Sequence, residues 1–430
     1  MKCVWAVLAA MLSLPPGFAA APPAIAIRDA HVVTVGRSDL PKGTVLLRDG
    51  LIQDVGPGIP IPADAWVIDG AGLTVYPGFI NGLSTWGIPP EESERAPAPG
   101  TGQHASEPRV KGPEDRPETN SFERAADLVS PSDKRLEAAR AAGFTTSATF
   151  PSGGIFEGLG AIVDLTGERG RDMVITQPIG QEVVFRVRGG GMGRSFPSSL
   201  MGNIAYVRQL YLDLDQYKRA KQIYDGQPSG NRRPEYDHEL EGLTEAPRLL
   251  LPANEAQQID RILSFGQELK VPFVVYGAHE AYRRVEALKQ ANVPVLISLK
   301  WPEKPKDGDP RERPDFRELQ MRDQAPAVPA MLAKAGAKFG FYSDGVDSAE
   351  DLKKAIKKAI DSGLSRADAI RALTLNVAEI YDVSDRVGSI EKGKIANLVV
   401  TKGEAFDAKS TVEYVFIDGK QFRPDKNGAK

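Results

Sequence analysis

Cysteine is almost missing: Cys3 is the only one in 430 residues. Structural disulfides, a thiol nucleophile in the body of the chain and cysteine-held metals are thereby excluded. Histidine is also scarce, with four residues, His31, His104, His238 and His279. Neither sign of charge dominates, since 54 Lys plus Arg face 57 Asp plus Glu for a net charge of -3. Without a basic field there is nothing to displace counterions from a polyphosphate backbone, and no nucleic acid partner is expected. Long hydrophobic runs are lacking as well. The best, Val4 to Leu14, is shorter than the roughly 20 residues of a membrane helix, so no membrane span is expected. What remains is an ordinary globular composition, 41% hydrophobic and 26% charged. Its length exceeds the roughly 250 to 300 residues at which single cores stop growing, which points to two structural units.

The first residues have the layout of a secretory signal. Lys2 supplies the positive start, Val4 to Leu14 the apolar run, and Ala19, Ala20 and Ala21 the small residues of a cleavage site. Pro15, Pro16 and Gly17 end the run early and argue against an uncleaved anchor. Cys3 precedes the run, whereas a lipid-attachment cysteine would follow it. A signal peptide over 1–21, a mature start near Ala20 to Pro22 and a periplasmic or secreted location are the expectations.

Short β-type runs follow, at Ala24 to Val35, Thr44 to Leu47, Leu51 to Val55, Ala65 to Ile68 and Leu73 to Tyr76. Asp49-Gly50 between two of them is a strong hairpin signal. The same texture returns only at Ala396 to Thr401 and Thr411 to Ile417, closed by Asp418-Gly419. One small sheet domain built from both ends is expected. Between them strands alternate with helices. Ser132 to Ala142 is helical in pattern and leads into Phe144 to Phe150. Asn254 to Leu269 reads as a helix opened by an Asn cap with Gln257 three residues on, before Val271 to Tyr276. Glu280 to Ala291 precedes the strand Val293 to Leu299, a helix ending at Gly336 precedes Phe339 to Ser343, and Ser348 with Asp351 opens the last long helix. Repeated units of this kind build a parallel sheet, and a (β/α)8 TIM barrel with a small β-sandwich is the economical closure. The expected division is 22–77 and 384–422 for the sandwich, 78–383 for the barrel and 423–430 for a tail. Gly87 to Ser130, Gln227 to Arg248 and Pro302 to Arg322 are polar and Pro-rich, as long loops are.

Gly72 to Ile80, "GLTVYPGFI", and Ala372 to Val400, "ALTLNVAEIYDVSDRVGSIEKGKIANLVV", resemble the passages into and out of the barrel of metal-dependent amidohydrolases. "AGFTTSATFPSGG" (Ala142 to Gly154) and "SSLMGNIAYVRQLYLDLDQY" (Ser198 to Tyr217) are similar to an exported, imidazolonepropionase-like branch. The resemblance implies one or two divalent metals held by a His-x-His pair after strand 1, histidines after strands 5 and 6, and an Asp after strand 8. Such a metal activates water for attack on a carbon-nitrogen bond. Here the His-x-His places read Leu83 and Thr85, the strand 5 place aligns with Pro252 and the strand 6 place with Gly277. Only Asp344, in "FYSDG", matches, and it is the one candidate catalytic residue.

The pocket implied by this alignment is lined by Leu83, Thr85, Asn254, His279 and Lys300, with no metal ligands and no cofactor. Lys300, at the end of strand 7, either pairs with Asp344 where the family holds its metal or points to solvent while Asp344 caps the helix that follows at Ser348. The resulting reading is a degenerate amidohydrolase, a pseudoenzyme that binds an unknown small ligand or joins a homologous amidohydrolase subunit. The alternative is an active hydrolase of carbon-nitrogen bonds, non-peptide or cyclic amide, with one divalent metal such as zinc in a site rebuilt from His104, His238 and His279. Arg186, Arg188 and Arg194 around Gly189, Gly190 and Gly191 form a weak anion-nest pattern without a phosphate-loop ending. Ser84 and Ser343 lack a nucleophile-elbow context and read as structural. In "DLKKAIKKAIDSG" the residues Leu352, Ala355, Ile356, Ala359 and Ile360 share one helical face, leaving the lysines to solvent.

Overall fold

The computed structural model describes residues 24–90, 116–186, 197, 199–304, 315–407 and 409–423. Residues 1–21, expected to be a signal peptide, and His104, Arg188, Arg194 and the glycines 189–191 lie outside the described residues.

Both Asp-Gly pairs are turns. Asp49 and Gly50 have φ of 52° and 78°, the left-handed pair that a two-residue hairpin matched to strand twist requires, and Arg48 faces Leu51 across it. Asp418 and Gly419, at 51° and 70°, close Ile417 against Lys420 in the same way. The two turns pack on each other so closely that a Cβ on Gly50 would fall 2.5 Å from Asp418 Oδ1. They fasten one sheet made from both ends of the chain: β1 (Ala24–Val32), β2 (Leu40–Arg48), β3 (Leu51–Gly56), β4 (Ala65–Asp69), β5 (Leu73–Pro77), and later β16 (Leu398–Lys402), β17 (Thr411–Ile417) and β18 (Lys420–Phe422). The order is β18-β17-β16-β5-β1-β2-β3, with β4 also on β1. The ladders join these strands into one β-rich unit, with β1 pairing β4 along its first half and β5 along its second. Ile27, Val32, Val45, Val75, Leu398 and Phe416 form its main core.

The barrel strands are β6 (Phe79–Ser84), β7 (Phe144–Thr149), β8 (Phe156–Leu159), β9 (Ala161–Asp164), β10 (Val174–Thr176), β11 (Gln181–Val183), β12 (Leu249–Ala253), β13 (Phe273–Gly277), β14 (Val295–Ser298) and β15 (Phe339–Tyr342). They lie in two sheets, β10-β9-β7-β6 and β15-β14-β13-β12-β11-β8. One run of chain, Phe156 through Gly160 to Asp164, serves both: β9 is antiparallel to β7 and β8 is antiparallel to β11. This corrects the all-parallel expectation. The opposite seam, β15 to β6, carries no ladder. It is bridged by side chains, for Asn81 Nδ2 donates to Ser343 Oγ at 2.9 Å and Ser343 N donates to Asn81 Oδ1 at 2.9 Å.

Side chains alternate as strands require. Phe144, Phe156, Val183, Leu251, Val275, Ile297 and Phe341 face the helices, while Ile80, Leu83, Ala148, Ile162, Leu250, Val274, Leu296 and Tyr342 fill the interior. Val377, Ile380 and Tyr381, from and just after the helix Leu375–Ile380, join that interior cluster and plug its foot. Helix ends are chosen by local acceptors. Ser348 caps Ala349–Asp361, accepting from Asp351 N. The cap before Ala256–Leu269 is Glu255, in a box with Gln258, and not Asn254 with Gln257. Gln258 still reaches back, its Oε1 accepting from Asn254 N at 2.9 Å. The helix Leu200–Gly226 is the longest of those described, opened by Ser199.

Candidate functional site

Two carboxylic acids meet inside the barrel near its mouth, and sequence reasoning missed both. Phe156 and Val183 face the helices, so their neighbours Glu157 and Glu182 point inward. Glu182 lies opposite Gly158 and Val183 opposite Phe156, so Glu157 is the extra residue of a register shift, and its carboxyl hydrogen-bonds that of Glu182. They are buried, 5% and 9% exposed. Glu157 accepts from Gly153 N at 3.1 Å and pairs with the Arg186 guanidinium. Burial, and then the Glu157 carboxylate bonded to it, hold the Glu182 carboxyl well above the usual range.

Around them stand two tyrosines. Tyr276 donates to the Val183 carbonyl at 2.9 Å, and its ring meets that of Tyr342 edge to face, centroids 6.1 Å apart. Burial raises both phenols, with Glu182 and Asp344 adding to it. His279, two residues past β13, is 8% exposed and its ring lies 6.0 Å from that of Trp301. Burial lowers its pKa, opposed by a hydrogen bond to the Ser298 backbone and by Asp344. Its Nε2 is buried without a partner.

Asp344 follows β15 in a left-handed conformation, φ 50°, and is exposed. Its Oδ2 accepts from Ser298 Oγ at 2.7 Å, and the same Oγ accepts from Lys300 N at 3.0 Å. Of the two readings of Lys300, the ion pair with Asp344 is not formed: Lys300 is exposed to solvent, and the Ser298 hydroxyl meets the carboxylate. Hydrogen bonding to Ser298 lets the carboxylate do without a cation.

The remaining sequence candidates are occupied structurally. Leu83 is 5% exposed within the apolar interior. Thr85 is clamped by Arg135, whose guanidinium donates to Thr85 Oγ1 at 2.8 Å and to the Thr85 carbonyl at 2.8 Å, while Asp133 holds that guanidinium from the other side. Asn254 lies beside Gly277 so closely that a Cβ there would fall 2.4 Å from Asn254 Oδ1. Ser84 bonds Ser147 at 2.7 Å, and Ser343 closes the β15 to β6 seam. His31 lies on β1 of the sheet domain. His238 begins the helix His238–Glu245 and packs on Phe122 at 4.3 Å. It borders a surface hollow of about 510 Å³ lined by Arg116, Asp213 and Asp237.

A divalent metal in the manner of the resemblance needs donors at 83, 85, 252 and 277. An apolar side chain, a clamped hydroxyl, a proline and a glycine crowded by Asn254 do not fit it. Among the described residues no group of three or more His, Cys, Asp or Glu is placed to hold a metal.

The comparisons with known proteins agree with this architecture. The Amidohydrolase family pattern matches residues 253–422. An amidohydrolase of Thermotoga maritima MSB8 is similar over 93% of this chain and 100% of its own, at 26% identity and a TM-score of 0.74. A Xaa-Pro dipeptidase crystallised with methionine in its active site shares the fold, with a TM-score of 0.54, 16% identity and coverage of 93% and 100%. Adenine deaminase 1 of Desulfotalea psychrophila is 36% identical over 92 residues, 20% of this chain, and an adenine deaminase of Moorella thermoacetica 32% identical over 69 residues, 16% of this chain. These matches span only 15% and 11% of those two relatives.

Proposed function

We propose that this chain, similar over residues 253–422 to the Amidohydrolase family, is an exported amidohydrolase-like protein without that family's metal chemistry. It is a pseudoenzyme in the hydrolytic sense, and its barrel mouth binds a small ligand or docks against a homologous subunit. One observation carries this reading: Leu83, at a place the resemblance gives to a metal histidine, is sealed in the apolar interior, and the hydroxyl of Thr85 at the companion place is spent on Arg135. A catalytic zinc needs about three protein ligands and an open position, and restoring one donor does not rebuild such a set.

A second reading, a carbon-nitrogen hydrolase with a rearranged site, is favoured by His279 and Asp344, which interact electrostatically at the mouth. His238 gives it no help, being engaged with Phe122 elsewhere. Elemental analysis of protein purified without chelator, with a deamination and dipeptide-hydrolysis assay before and after zinc addition, separates the two. Substoichiometric zinc and no zinc-dependent turnover is the expected result. One zinc per chain, with activity lost in His279→Ala and Asp344→Asn, transfers the assignment to the hydrolase.

A further inference from the structure

The mouth of the barrel is unusually rich in hydrogen-bond acceptors. Glu157 arrives on β8, Glu182 on β11, His279 after β13 and Asp344 after β15. Against them the described residues set one cation, Arg186, already engaged by Glu157. Lys300 is nearby in sequence but exposed and outside the group. The imidazole adds an acceptor of its own: with its other nitrogen bonded to the Ser298 backbone, Nε2 presents a lone pair, buried and unpartnered. A buried polar atom left so costs free energy that a ligand donor would recover. The walls suit a cation too, since Tyr276 and Tyr342 offer ring faces and edges in a T-shaped pair.

A compact metal ion is the wrong occupant, because no three of these side chains converge on one coordination shell. Acceptors carried by four different strands or the turns after them match a group with several N–H donors pointing different ways. Resting on the ligand-binding reading above, we propose that the mouth binds a small organic cation, an ammonium or guanidinium group. Its donors meet Glu157, Glu182, Asp344 and His279 Nε2 beside the rings of Tyr276 and Tyr342.

Binding then has a proton balance. The Glu182 carboxylic acid gives its proton to solvent and the carboxylate so formed accepts from the cation, with no covalent bond made or broken. Affinity therefore rises with pH. The titratable and charged groups facing this place are Glu157 from β8, Glu182 and Arg186 from and after β11, Tyr276 and His279 around β13, and Tyr342 and Asp344 around β15. Burial raises the two phenols and lowers His279, so the proton released is assigned to Glu182, whose carboxyl burial raises.

Titration calorimetry of the intact exported chain with agmatine, at pH 6 and pH 8 and in two buffers of different ionisation enthalpy, tests this. The expected result is saturable binding, several-fold tighter at pH 8, with release of up to one proton. Glu182→Gln loses the proton release. Asp344→Asn weakens binding about tenfold, as loss of one charge-assisted contact does, and Lys300→Met leaves it unchanged. No saturable agmatine binding, equal binding of the neutral N-butylacetamide, or an affinity indifferent to pH would overturn the proposal. Zinc content keeps the two readings apart: stoichiometric zinc sinks the metal-free reading and this one with it, whereas zinc-free protein that ignores agmatine sinks this one alone.

Discussion

The strand that runs from Glu157 to Asp164 carries a carboxyl group to each end of the barrel, and the two ends treat it differently. At the foot, Asp164 is 5% exposed and surrounded by donors. Asn397 Nδ2 reaches its Oδ1 at 2.6 Å and Thr146 Oγ1 at 3.1 Å, while Asn397 Oδ1 accepts from Asp418 N at 2.8 Å. This closed network ties the barrel to the sheet domain. Even so, burial pushes Asp164 up to about 7, hydrogen bonds from Asn397 and Thr146 only partly opposing it. At the mouth, Glu157 and Glu182 lean on each other and on Arg186, and His279 Nε2 has no partner at all. A buried carboxyl group that is satisfied by its own chain is architecture. One satisfied by a second acid and left beside an orphaned acceptor is a place with unused capacity.

Three experiments press on this contrast. The largest effect is expected from Asp164→Asn. An acid whose folded pKa lies above its unfolded value, about 7 against 3.8, adds stability that is whole below the unfolded value and is lost as pH rises to the folded one. Wild-type stability should fall between about pH 4 and 7 and then level off. The asparagine variant should lack that slope and gain up to about 4 kcal/mol relative to wild type at pH 8, the free-energy equivalent of the shift. Urea unfolding at pH 4, 6 and 8 reads it, and parallel pH profiles for the two proteins would remove Asp164 from the account.

Next comes Asn397→Ala, which strips donors from Asp164 and an acceptor from Asp418 N. Buried polar groups so orphaned cost about 1 to 3 kcal/mol, visible as a lower melting temperature. An unchanged melt would mean that water replaces the amide and that the foot is as open as the mouth. The smallest effect belongs to Glu182→Gln, an isosteric replacement for an acid whose protonated form burial favours. Below neutrality its stability should stay within about 1 kcal/mol of wild type. As pH rises the variant should become the more stable protein, since a raised acid loses its stabilising contribution in that direction. A large loss at pH 6 would show that Glu182 is ionised and paired in the folded protein.

The sequence made the framework legible where the signals are local. Asp49-Gly50 and Asp418-Gly419 became hairpin turns because only a two-residue left-handed pair fits there, and Ser348 capped its helix as its hydroxyl and spacing implied. The helix after β12 slipped by one residue because Glu255 and Gln258 offer the same capping chemistry as Asn254 and Gln257. The carboxyl pair was not legible. Glu157 and Glu182 are separated by turns and short strands, and their meeting depends on β8 running against β11, which no periodicity announces. The available trace was slight: one acid in each of two otherwise uncharged strands, "FEGL" and "QEV". Lys300 misled for a related reason, since adjacency of strand ends says nothing about which neighbour reaches Asp344 first, and Ser298 is the shorter route.

The reversed strand also changes how the barrel can come together in time. Parallel neighbours such as β12 and β13 meet only after a crossover helix has formed between them. Thr149 and Ala161 face each other across a loop of about ten residues, a closure that costs well under a microsecond and allows a hairpin within microseconds. One stave boundary of the ring is thus a local, low contact-order event, while its neighbours wait for long-range pairing. Protection of the amides of β7 and β9 ahead of those of β12 to β15 in pulsed hydrogen exchange is the signature of that order.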